Sequence, residues 1–327
     1  MSKVHLTVAL SHYDHVMDIF MGNVGIEGAT MNVMKLPLHD IFQRTVGFVD
    51  FDVAEMSTAK YVSMRSQGDD RVIALPVFLS RVCRHSAIYV RKDRIRTKAD
   101  FAGKRIGVPE WAQTAAVYAR GVLTDEIGVP LTSVKWVQAG LWEPGRAEKV
   151  PLKLPKGLDL TPVSDRSISE MLDKGDLDAV IAADAPSCYR KNPEVVRWFD
   201  NHAEIEMDYV KRTKIFPIMH TLVVRKALLD QHPWIAGNIF NAFNEARKRS
   251  LVRINHQGAT VAPLPWLADA VARAKAVLGE DFWPYGVEAN RPTLEAFLRW
   301  AHEQGVCHRL LTPEELFPPQ TLTAVRV

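Results

Sequence analysis

Val4-His5-Leu6-Thr7-Val8-Ala9-Leu10 runs into Ser11-His12-Tyr13-Asp14-His15, and Lys104-Arg105-Ile106-Gly107-Val108 runs into Pro109-Glu110-Trp111-Ala112-Gln113-Thr114. In each stretch a short apolar run, typical of a buried parallel strand, breaks at a polar or Gly/Pro turn before a helix begins. Open α/β sheets bind ligands just beyond the carboxyl ends of their strands. Two such units therefore predict an α/β protein of two lobes with a ligand between them.

Working outward, Thr30–Leu36 and Phe51–Met56 read as further strands of the first lobe, and Ser57 suits a helix N-cap. Val72–Val77, interrupted by Pro76, and Ser86–Val90 complete that lobe. The second lobe opens after Asp100-Phe101-Ala102-Gly103, with an amphipathic helix over Ala112–Leu123 and strands at Val134–Val137 and Leu177–Ala182. Ala139–Pro162 reads as an excursion. Glu206–Thr213 leads back to Thr221–Val224, a strand that rejoins the first sheet. The expected division is 1–98 and 213–327 for the first lobe and 99–212 for an inserted second lobe, an arrangement with two crossings that can hinge. Helices over Trp234–Val252, Leu267–Leu278 and Leu294–Ala301 close the chain, and the last of these offer a surface for a homo-oligomer contact.

The 327 residues suffice for two α/β cores, and a net charge of +3 argues against nucleic acid and membrane surfaces as partners. Cys83, Cys188 and Cys307 show neither metal-ligand spacing nor a disulfide framework. Met1–His5 leads into no apolar signal segment, and no apolar run approaches the roughly 20 residues of a membrane helix. The expected location is the cytoplasm. Arg81, Arg84, Arg91, Lys92, Arg94, Arg96 and Lys98 form a local basic excess. Its later members read as a solvated turn, whereas Arg81 and Arg84 directly follow an apolar strand and are candidates for a site.

Five stretches together resemble the 4,5-dihydroxyphthalate decarboxylase family: Asp52–Ser57 (DVAEMS), His85–Val90 (HSAIYV), Gly103–Ala116 (GKRIGVPEWAQTAA), Glu143–Glu148 (EPGRAE) and Phe216–His220 (FPIMH). The resemblance implies the two-lobed fold of the type 2 periplasmic binding proteins. It also implies non-oxidative loss of one carboxylate from an aromatic dihydroxy-dicarboxylic acid, giving protocatechuate. The chain departs from the family pattern at Leu141-Trp142 and at Asp184, which stands before Ala185-Pro186-Ser187.

Such a reaction needs no electron-sink cofactor, because a hydroxyl para to the departing carboxylate can push electrons into the ring. It does need a cationic clamp, a base near the phenol and an acid at the ring face. Arg81 is the first choice for the clamp, with Arg84 and Arg146 behind it, since a guanidinium matches a carboxylate as a planar fork. The backbone amides of Trp111, Ala112, Gln113 and Thr114 at a helix start offer a second anion site. His12 with Asp14, then His220 and His85, are the proton-transfer candidates, and Glu110 is a candidate to accept the phenol proton. Ser57 and Thr58 are candidates to bind a hydroxyl, Trp111 to stack on the ring, and Asp184 to touch the substrate. A divalent metal, if one is bound, would fall to His12, Asp14 and His15. The alternatives are another lyase on the same scaffold, or a non-catalytic binder of a small acid for uptake or sensing.

Overall fold

The computed structural model describes residues 3–256 and 258–322. Its strands in chain order are β1 (Val4–Leu10), β2 (Ala29–Lys35), β3 (Val53–Ser57), β4 (Val72–Arg81), β5 (Ile88–Arg91), β6 (Arg105–Val108), β7 (Lys135–Gln138), β8 (Asp159–Pro162), β9 (Ala179–Ile181), β10 (Val195–Arg197) and β11 (Ile218–Arg225). They form a five-stranded sheet in the order β2-β1-β3-β11-β4 and a six-stranded sheet in the order β10-β5-β9-β6-β7-β8. In the first, β1 pairs in parallel with β2 and β3, while β11 lies antiparallel between β3 and β4. In the second, β6 through β9 pair in parallel, and β5 alone is reversed, pairing antiparallel with β9 on one side and β10 on the other. Burial is greatest inside the sheets, where β3 is buried along its whole length and β6 after its first residue, while the parallel edge strands β2 and β8 stay partly exposed.

Three expectations change. The strand near Ser86–Val90 pairs with β9 and β10, so it belongs to the second sheet. The chain thus leaves the first sheet after Arg81 and enters the second at Ile88, ahead of the expected boundary at 98. It returns after the helix His202–Thr213, close to the expected second crossing. Pro76 does not end its strand, because β4 lies at the sheet edge, where the missing N–H costs no ladder bond. The three-residue β10 is too short to show a period in the sequence.

The C-terminal segment joins the two halves. The helix Arg291–Glu303 packs on the helix Thr114–Asp125, where a Cβ on Gly121 would stand 2.5 Å from the Trp300 indole. The Gln304 carbonyl accepts from Trp111 Nε1 at 2.7 Å, and its side-chain oxygen accepts from Arg120 Nε at 2.8 Å. Farther on, Tyr61 of the first lobe donates to the Leu316 carbonyl. Among the described residues no helix is long and apolar enough to cross a membrane.

Candidate active site

The end of β3, the start of β11 and the turn after β6 face one another across the two sheets. Between them lies a cavity of about 100 Å³ lined by His39, Phe42, Ser57, Lys60, Arg84, Glu110, Gln113, Thr114, Arg146, Lys149, Met219 and His220, among others. A larger, more open cavity of about 550 Å³ adjoins it, sharing His39, Gln113, Arg146 and Ala183 and adding Trp142, Glu143 and Asp184. The lobes touch here through Thr114, whose Oγ1 lies 2.9 Å from Ser57 Oγ and accepts from the Ala59 amide at 3.0 Å.

One wall is cationic. Lys60 sits in the first turn of the helix Thr58–Ser66, where the helix dipole opposes a positive charge. It is held there by Glu110 at 2.6 Å and Glu148 at 3.5 Å. Arg146 Nε donates to the other Glu110 oxygen at 2.7 Å. Burial pushes the Glu110 carboxyl up, but Lys60 and Arg146 together outweigh it and hold the group below its ordinary range. Glu110 is therefore a fixed anion that orders two cations, and not the phenol base expected from its position.

Arg84 differs from both. Its Nε points to Met219 Sδ at 3.2 Å and its Nη1 to the Ala183 carbonyl at 3.4 Å, and no carboxylate pairs with it among the described residues. Burial lowers its pKa, with Asp184 and Glu206 opposing from a distance. Burial also lowers that of Lys149, whose Nζ lies 3.4 Å from His39 Nδ1. Four cations, Lys60, Arg84, Arg146 and Lys149, line the inner cavity with one carboxylate, Glu110, and Glu148 pairs with Lys60 from behind the wall, so that counting both carboxylates leaves a surplus of two positive charges.

The opposite wall holds His220, on β11 opposite Ser57 of β3. Glu55 is the same-face diagonal neighbour on β3, within reach of a long side chain. Its Oε1 lies 2.7 Å from His220 Nδ1 and accepts from Tyr13 Oη at 2.7 Å, and its Oε2 accepts from the Ser11 amide at 2.9 Å. Phe42 packs edge-on against the imidazole at 4.9 Å. With Nδ1 occupied, Nε2 is the ring nitrogen left for a ligand in the cavity that His220 lines.

No family model matches the chain. It is 40% identical over 330 residues to the 4,5-dihydroxyphthalate decarboxylase of Comamonas testosteroni, with all of both chains covered. The chain belongs to the 4,5-dihydroxyphthalate decarboxylase family. A second member, from Pseudomonas putida, is 39% identical over 198 residues, covering 60% of this chain and 77% of that one. The protein is accordingly a carboxy-lyase. Its two-lobed fold is shared with the periplasmic aliphatic sulphonate binding protein SsuA of Escherichia coli, at a TM-score of 0.54 and 11% identity over 98% of this chain and 99% of that one. It is also shared with the desulfurization enzyme DszB, at a TM-score of 0.50 and 14% identity over 98% of each chain.

Of the residues expected at the family's site, His220, Arg84, Arg146, Glu110, Ser57, Gln113 and Thr114 line the inner cavity, and Asp184 lines the outer one. Others lie elsewhere. Arg81 donates to the carbonyls of Phe216 at 3.0 Å and Pro284 at 2.9 Å and to the Asn290 side chain. Its burial pushes its pKa down to about 10, and it anchors the C-terminal segment instead of clamping a ligand. Trp111 is fully buried under Arg120, 3.7 Å from its ring, so it is core and cannot stack on a substrate. His85 packs between Phe199 and Tyr209, and burial lowers its pKa. Thr58 is buried and lines neither cavity.

The turn after β1 faces the other way from the one expected. His12 and Asp14 do share a side, but it is the outer one, and Tyr13 between them turns in to Glu55. Asp14 pairs with Arg253 at 3.3 Å, His12 rests on Phe20, and His15 packs between Tyr13 and Trp283. These three do not converge, and no other group of three or more His, Cys, Asp or Glu side chains is placed to hold a metal ion among the described residues. Glu55, Tyr13, Lys60, Lys149, His39 and Phe42 were not foreseen. A glutamate inside the otherwise apolar Val53-Ala54-Glu55-Met56 and a lysine in a first helical turn are the signals that mark two of them.

Proposed function

We propose that the protein removes one carboxylate from 4,5-dihydroxyphthalate without oxidation, giving protocatechuate and CO2. The observation that carries this reading is the surplus of two positive charges in a small, partly enclosed cavity whose other wall is a histidine. Two carboxylates on adjacent ring carbons match that surplus. Arg84, with no carboxylate of its own among the described residues, is the principal clamp, and Arg146 and Lys149 complete it. Such charge-assisted hydrogen bonds contribute about 1.5–3 kcal/mol each.

In the proposed reaction His220, as imidazolium, delivers its Nε2 proton to the ring carbon that bears the departing carboxylate. The hydroxyl para to that carbon keeps its proton and supplies, through the ring, the electron pair for the new C–H bond, leaving a protonated ketone, so that the step as written draws on no base. The C–C bond then breaks, its electrons restore the aromatic ring and the hydroxyl, and CO2 leaves. The substrate dianion and one proton thus become the product monoanion and CO2, and His220 is reprotonated from solvent. The ring and the para-hydroxyl act as the electron sink, so the step as written draws on no cofactor.

The test is CO2 release and the accompanying absorbance change when metal-stripped protein meets 4,5-dihydroxyphthalate at neutral pH. Turnover with protocatechuate as product is the expected result. No CO2 release, with or without added divalent cations, overturns the substrate assignment. Release only after a divalent cation is restored overturns the cofactor-free step.

A further inference from the structure

Glu55 lies fully buried in the middle of a sheet, where an apolar residue would serve stability better. A buried carboxylate costs several kcal/mol unless its oxygens are satisfied. No lysine or arginine among the described residues pairs with it, and its partners are the Ser11 amide, the Tyr13 hydroxyl and His220. The Tyr13 hydroxyl also lies 3.4 Å from His220 Nδ1, so the hydroxyl and the ring converge on one carboxylate oxygen. A carboxylate can only accept, which places a proton on Nδ1 and a second one on Tyr13 Oη. Burial, with Glu55 adding to it, pushes the Tyr13 pKa up, so the phenol stays a donor at working pH.

We infer that Glu55, steadied by Tyr13 and the Ser11 amide, is a positioning residue for the decarboxylation: it fixes the His220 ring with Nδ1 turned to the sheet and Nε2 turned to the cavity. It also offsets the positive charge of the imidazolium that must enter the cavity beside Arg84. This assignment rests on the proton-transfer role proposed for His220. It differs from a packing role because Glu55 touches neither cavity and works only through the ring.

The experiment compares Glu55→Gln, Glu55→Asp and His220→Ala in steady-state turnover of 4,5-dihydroxyphthalate. Glu55→Gln is expected to lower kcat by about 10²–10⁴-fold, the scale seen when the partner of a catalytic histidine is neutralised, with KM changing less than about threefold. Glu55→Asp keeps the charge but draws it back by one methylene, and is expected to recover about tenfold of that loss while staying about tenfold or more below the wild-type kcat. A packing role would instead make Asp, with its missing methylene, the worse substitution. If Glu55→Gln does not fold, Glu55→Asp decides alone: wild-type kcat, or a loss shared with KM, overturns the assignment. His220→Ala separates the two levels. Should it retain turnover, both the proton-transfer role and the inference fall. Should it be inactive while Glu55→Gln keeps full kcat, only the positioning role falls.

Discussion

Lys60 Nζ and Glu110 Oε2 lie 2.6 Å apart, bridging the first helix after β3 to the turn after β6, and both side chains are almost wholly shielded from water. Breaking a buried pair by removing one partner typically costs about 3–5 kcal/mol, because the other charge is left behind. Lys60→Met is therefore expected to destabilise the protein by about 3 kcal/mol, measured by urea unfolding followed by tryptophan fluorescence. Glu110 has a folded pKa below its unfolded value, so this contribution is present above about pH 4.3 and is lost as pH falls through the folded value.

Arg84→Ala removes the guanidinium in the cavity wall that has no carboxylate partner among the described residues. The expected result is a rise in KM for the dicarboxylate of about 10- to 150-fold, the equivalent of one charge-assisted hydrogen bond. Arg84→Lys should recover only part of it, since an ammonium cannot present the planar fork. Initial-rate kinetics on both variants check this, and an unchanged KM in Arg84→Ala would remove the clamp assignment.

His15 contributes a pH dependence of stability from outside the cavities. Burial lowers its pKa to about 4 from an ordinary 6.5; Glu55 and Asp14 oppose the shift and Arg247 adds to it. Between those values the unfolded chain binds the proton and the folded protein does not, so stability falls as pH drops through the window, by on the order of 2–3 kcal/mol. His15→Phe, which preserves the stack between Tyr13 and Trp283, should flatten that slope in unfolding curves measured from pH 7 to pH 4.

Gly121→Ala places a methyl 2.5 Å from the Trp300 indole, where the last long helix meets the second lobe. Overpacking of this kind costs about 1–3 kcal/mol. The variant should unfold at lower urea concentration, and Trp300→Leu in the same chain should restore part of the loss by vacating the space.

Strong periods and whole strands were legible in the sequence. Val4–Leu10 and Leu267–Leu278 fall where the apolar pattern places them, because each is long enough for its burial to repeat. Partner choice was not: the four-residue β5 looks alike in either sheet, and only pairing with β9 and β10 assigns it. Residues beside strand ends that line the inner cavity, such as Ser57, Arg84 and His220, were readable. Arg81 and Trp111 were misread, since a charged or amphipathic side chain near a turn looks the same whether it meets a ligand or, as here, carbonyls of the distant C-terminal segment. Glu55 escaped notice because its role depends on β11, which follows it in the chain by more than 160 residues.

That late strand also sets an order of assembly. All six strands of the second sheet lie between residues 88 and 197, so that lobe has its full complement as soon as this interval leaves the ribosome. The first sheet begins at the N-terminus yet has a gap between β3 and β4 that only β11 fills. Its unpaired edges must wait, through the synthesis of the entire other lobe, for a strand carrying the residue that Glu55 holds. The half of the protein that is made first is thus the half that is finished last, and the ring that lines the inner cavity arrives with its closing piece.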